Sequence, residues 1–241
     1  RGRAADAPMH PRQISRAPSR VVCAPGSGPQ TSAARSVENR ASSTLRTASS
    51  PCTPSAAPAP MPAIDTSSYE CVTEIARLDH WIARARETGT LGFDTETDSL
   101  QAASANLVGF SLAVAPGEAC YVPLAHGGTD MFAERPTQIP MDAALAKLRP
   151  LLCDPSVLKI GQNLKYDIRV MRSQGVDLRG IEADTMVAAY ALDSSGRHNL
   201  DFLAKKYLGY TMKTYEEVTG KGASQIGFDQ VSIEEATRYS A

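Results

Sequence analysis

Residues 63–241 are predicted to form an α/β domain, a mixed β-sheet of three antiparallel strands followed by α/β units and flanked by helices. Three observations predict it. Apolar residues recur at helical spacing where the stretch begins, three strand-like runs follow in close succession, and from residue 141 helical segments alternate with a short apolar run. Strands first and alternating elements afterwards suit one mixed sheet covered by helices.

Taken in order, Val72, Ile75, Leu78, Ile82 and Ala85 recur at intervals of three or four, the stripe of an amphipathic helix ending by Gly89. Residues 90–96, 106–115 and 119–124 then read as strands. Their connections are short and contain Gly or polar residues, as consecutive antiparallel strands require. A helix over 141–151 leads to an apolar strand over 157–161, and helical segments follow over 163–174, 184–192, 199–208 and 232–241. There is no internal repeat.

Ahead of this domain, residues 1–62 are rich in Ala, Pro, Ser and Arg and show no periodicity. Such a segment buries too little apolar surface to offset its conformational entropy and is expected to be disordered. It reads as a linker or leader. An organelle transit peptide is the minor alternative, since Arg-rich, Ser-rich, acid-poor leaders fit that role.

The net charge of −1 conceals a split: residues 1–62 carry eight Arg against Asp6 and Glu38, which leaves 63–241 at −7. An acidic domain does not present a broad phosphate-binding surface, so nucleic acid would be met at a metal-filled cleft. The 42% hydrophobic and 21% charged residues fit one globular domain plus an appendage. No run approaches the roughly 18 apolar residues of a membrane helix. The five scattered cysteines form no CxxC pair, zinc pattern or dense disulfide framework, and reduced thiols are the simplest reading. A cytosol-like compartment follows as the expectation.

FDTETDSL, residues 93–100, is the most informative stretch. Strand side chains alternate faces, so Asp94 and Glu96 point the same way from the end of an apolar strand. Neighbouring carboxylates repel each other and are costly to desolvate, and a divalent cation removes that cost. Solvated strand-end acids are the plain alternative. Asp98 reads as a turn residue.

GQNLKYD, residues 161–167, follows the apolar strand. Asn163 is suited to cap a helix, and Asp167, four residues on, would share its face and project toward the edge bearing Asp94 and Glu96. A capping Asn with a surface Asp is the alternative. Asp184 reads as an N-cap rather than a further ligand.

In order and separation these two motifs resemble the first and second exonuclease motifs of the DEDD superfamily, specifically those of bacterial-type DNA polymerase I. The likeness extends through ANLVGFSLAV (105–114), YVPLAH (121–126), LRGIEADTM (178–186), GRHNLDFLAKKYLG (196–209) and EEVTGKG (216–222). It implies a ribonuclease-H-like sheet and a 3'→5' proofreading exonuclease with four acids for two Mg²⁺ or Mn²⁺ ions. Its partners would be a single-stranded DNA 3' end and a polymerase domain in the parent chain, with no membrane.

Three acids match: Asp94, Glu96 and Asp167. The third motif runs Tyr-x-x-x-Asp; Tyr239 matches its tyrosine, and its acid would fall two residues past Ala241. On this reading the chain is a fragment with impaired turnover. The resemblance implies that Tyr239 orients the attacking water and that Leu100 wedges against terminal bases, where an ordinary core leucine is the alternative. Asn163 and Tyr166 could contact the 3' nucleotide, or act as a cap and a packed aromatic. Arg197 and Tyr215 are candidate phosphate and base contacts by charge and stacking. His198 has no partner at ligand spacing. Two other classes remain open: a noncatalytic DNA-binding module on the same fold, and an RNA-trimming exoribonuclease.

Overall fold

The computed structural model describes residues 65–127 and 136–241, so the expectations for residues 1–62 lie outside the described residues. The chain opens with a two-residue strand, β1 (Glu70–Cys71), and helix α1 (Ile75–Thr88). Leu78, Trp81 and Ala85 are buried on one face of α1, and Gly89, at φ 68°, closes the helix through its N–H to Ala85 O, as the sequence predicts. Strands β2 (Thr90–Thr97), β3 (Leu107–Ala115) and β4 (Glu118–Pro123) form an antiparallel meander. Asp98 closes the first turn, accepting from both the backbone and the side-chain nitrogen of Asn106.

Helix α2 (Met141–Leu152), strand β5 (Leu158–Gly161), helix α3 (Lys165–Ser173), strand β6 (Ile181–Asp184) and helix α4 (Thr185–Leu192) follow. The sheet order is β1-β4-β3-β2-β5-β6, with β5 parallel to both β2 and β6 and β1 parallel to β4. This is the expected mixed sheet, with two short strands added at its edges.

The expected helix over 199–208 is instead a short α5 (Leu200–Leu203) running into a π-type turn, Ala204–Leu208. Helix α6 (Tyr215–Thr219) was not anticipated. It begins at a capping box in which Thr214 accepts from Glu217 N while Glu217 accepts from Thr214 N. Helix α7 (Ile233–Ser240) ends the described chain.

Alternation along β2 divides the molecule. Leu91 and Phe93 enter the main core with Phe110, Leu112, Val122 and the apolar faces of α1, α2 and α3. The opposite face carries Gly92, Asp94 and Glu96, and a smaller cluster of Val108, Tyr121, Phe228, Val231 and Ala236 seats α7 against it. Cys71 and Cys120 are free thiols. Among the described residues no helix is long and apolar enough to cross a membrane.

Candidate active site

The face of β2 that bears the acids is lined by small side chains. Gly92, Ser111, Ala113 and Ala119 leave a hollow of about 330 Å³ over the sheet, into which Asp94 and Glu96 project together. Gly92 is held small by its neighbour, since a Cβ there would lie 3.1 Å from Ala113 Cβ. The strand alternation read from the sequence therefore places both carboxylates in one cleft.

The third acid arrives from the other side of the strand. β5 pairs with β2 only from Thr90 to Gly92, so beyond that point the edge of β2 has lost its neighbour. Asp167 fills the gap: its Oδ1 accepts from Thr95 N at 3.0 Å and from Thr95 Oγ1 at 2.6 Å. Two donors hold a carboxylate that is only 1% exposed. Thr95, between the two acids in sequence and facing away from them, was not anticipated, because its role depends on where β5 stops.

All three carboxyls are pushed above the usual range, first by burial. Asp167 rises to about 6 against the pull of its Thr95 bonds. Asp94 is raised next by the charge of Asp167, and Glu96 next by that of Asp94. Asp94 is also the most open of the three to water.

The same crowding suits a hard cation, which takes carboxylate oxygens and relieves their repulsion. Asp94, Glu96 and Asp167 are the residues that would hold it, and as an all-oxygen set they fit Mg²⁺ or Mn²⁺. Their present positions are not a closed cage. Among the described residues no group of three His, Cys, Asp or Glu side chains is gathered for metal binding. Asp167 is turned to Thr95, and Glu96 Oε1 accepts from Ser240 Oγ at 2.7 Å.

Helix α7 roofs the hollow. Ser232 starts it by accepting from Glu235 N, and its last turn brings Tyr239 and Ser240 over the acids. Burial and then the charge of Glu96 raise the Tyr239 phenol, which keeps it protonated. Phe228 and Tyr215 pack around that ring, with centroids 5.7 and 6.5 Å away. Tyr215 also lines an adjoining groove with Met212, Lys213 and Tyr239, so it belongs to the surroundings of the site.

A second groove lies on the α3 side, between Leu100, Asn163, Lys165, Tyr166 and Arg169. Leu100 is 92% exposed, which excludes the core reading. Tyr166 is engaged structurally, its hydroxyl bonding Ser99 O and Thr97 Oγ1. Asn163 is not the helix cap expected of it. It sits in the left-handed region at φ 60°, its Oδ1 is buried without a partner, and α3 begins at Lys165. Asp184 takes over the capping by accepting from the backbone N–H of Asn163 and Leu164, and it also caps α4 as expected.

Arg197 does not enter the hollow. It lies by a separate shallow pocket with Ala189, Lys206 and Tyr207. His198 stacks on Tyr190 at 3.8 Å and bonds Asp193 O, a structural role.

Fold and site together define a ribonuclease-H-like α/β domain with an acid-lined cleft at the end of its central strand. The sequence profile of the 3'-5' exonuclease family matches residues 69–241, and the chain belongs to that family. DNA polymerase I of Pseudomonas aeruginosa is 47% identical over 176 residues, covering 72% of this chain and 19% of that protein. The DNA polymerase I of Rhizobium leguminosarum is 44% identical over 191 residues, covering 73% and 19%. The chain thus spans about a fifth of the length of these curated relatives. The catalytic core of RRP6 from Trypanosoma brucei, 12% identical with a TM-score of 0.51 over 75% of this chain and 48% of that one, shares the fold.

Proposed function

We propose that residues 63–241 form the proofreading 3'→5' exonuclease unit of a DNA polymerase I-like protein of the bacterial cytoplasm, acting on the single-stranded 3' end of DNA. The observation that carries this reading is that Asp94 and Glu96 project from β2 into the hollow beneath Tyr239 while Asp167 from α3 docks on Thr95, the residue between them. Asp94, Glu96 and Asp167 would hold two divalent ions, which when bound would supply an activated water and neutralise charge on a phosphodiester. Tyr239, kept protonated, orients the water by its hydroxyl.

The two grooves give the substrate its path. Leu100, standing free in solvent, wedges against the terminal bases, and Asn163, Tyr166 and Tyr215 border the strand. Lys165 and Arg169 line the α3 groove and form no ion pair among the described residues, so a phosphate passing there meets uncompensated positive charge.

Release of mononucleotides from labelled single-stranded DNA with Mn²⁺ tests the reading. Asp94→Ala should abolish it, and undiminished release by that variant would refute the assignment.

A further inference from the structure

Asp184 ends β6 and starts α4, and its carboxylate accepts four backbone N–H bonds. Two come from its own helix, Met186 N at 2.9 Å and Val187 N at 3.3 Å. Two come from a different element, Asn163 N at 3.0 Å and Leu164 N at 2.9 Å, in the turn that launches α3. An N-cap needs only the first pair. The second pair ties the starts of two helices to one carboxylate.

The turn needs that tie. No side chain of its own caps α3. Asn163 is the one non-glycine described residue at positive φ, a conformation that persists only where the surroundings hold it. Gly161 fixes the other end, where a Cβ would meet Leu164 Cδ2 at 2.5 Å and Phe93 O at 2.8 Å. Asp167 lies within the first turn of α3, so any slip of residues 163–164 moves its carboxylate relative to Thr95 and the acid pair.

We propose that Asp184 is a positioning residue for the cation site: by tethering the Asn163–Leu164 amides it sets the rotation of α3 that brings Asp167 onto Thr95. This rests on the nuclease reading for its functional consequence, but its structural half can be read without any metal.

Two variants separate the roles. Asp184→Ser keeps an N-cap for α4 but is too short to reach Asn163 and Leu164. Asp184→Asn keeps the Oδ1 acceptor of Asn163, Met186 and Val187 but loses both the charge and the Oδ2 acceptor of Leu164. In the full chain, amide hydrogen exchange at Thr95, Asn163 and Leu164 is measured alongside Mn²⁺ binding by electron paramagnetic resonance. For Asp184→Ser we expect all three amides to lose protection while α4 keeps its own, and Mn²⁺ affinity to fall by about tenfold or more, with a much smaller fall for Asp184→Asn.

A Thr95 amide that stays protected in Asp184→Ser overturns the tether. So does an equal loss of Mn²⁺ affinity in the two variants with the Asn163 amide still protected in Asp184→Asn, because the bond to Asn163 would then contribute nothing. A wild-type chain that binds no Mn²⁺ while Thr95 loses protection in Asp184→Ser supports the tether and counts against the nuclease reading instead.

Discussion

Replacing Asp167 by Asn should stabilise the metal-free protein while removing its response to cations. The substitution is isosteric, and both Thr95 bonds fall on Oδ1, so an amide oxygen in the same place keeps both. What disappears is a charge that burial opposes. Asp167 titrates at about 6 in the folded state against 3.8 for an ordinary aspartate. About two pKa units at 1.36 kcal/mol each make roughly 3 kcal/mol of native-state penalty.

The sign follows from proton counting. Between pH 3.8 and about 6 the folded protein holds more protons than the unfolded chain, so stability falls as pH rises through that window and the penalty is complete above it. Urea unfolding in the presence of a chelator should show Asp167→Asn more stable than wild type by up to about 3 kcal/mol at pH of about 8, with the gap closing near pH 4. Added Mn²⁺ should stabilise wild type and leave the variant unmoved. A variant less stable than wild type at the higher pH, without metal, would refute the argument that the buried charge opposes folding.

Three further outcomes follow from named contacts. Lys159 is fully buried on β5, bonds Asp154 O, and is depressed to about 8 by burial, so wild-type stability should rise with pH between about 8 and the ordinary 10.5. Lys159→Met should flatten that rise and raise stability at neutral pH by about 2 kcal/mol after the lost hydrogen bond is counted, read by thermal unfolding; a lower Tm would contradict this. Gly109→Ala places a Cβ 2.1 Å from the hydroxyl of Tyr121, a fully buried ring bonded to His126 Nε2, and should cost about 3 kcal/mol in urea unfolding. Leu100→Ala removes a side chain that is 92% exposed, so stability should stay within about 0.5 kcal/mol while kcat/KM on DNA ends falls, whereas a loss of stability would restore the core reading.

Much of the architecture was legible because it rests on local rules. The β2–β4 meander is written in alternating faces and short polar connections, and α1 in its apolar stripe and terminal glycine. β6, Ile181–Asp184, was hidden because an edge strand with exposed and half-exposed residues carries no apolar alternation. α6 did carry a signal, the Thr214-to-Glu217 capping box, which a search for apolar periodicity passes over.

The site divides in the same way. Asp94 and Glu96 share a face by alternation alone, whereas the partners of Asp167 and Glu96, Thr95 and Ser240, are set by where β5 stops and where α7 ends. Asn163 was misread as a cap because the competing acceptor, Asp184, is twenty-one residues away in sequence and adjacent only in the fold.

The proposed removal of nucleotides from DNA 3' ends is tested most directly by the digestion of 5'-labelled single-stranded DNA with Mn²⁺. The chain is compared with its Glu96→Gln variant. Progressive shortening from the 3' end by the first, and little or none by the second, is the predicted result. No cutting by either chain, or fragments that show attack from the 5' end, would contradict it.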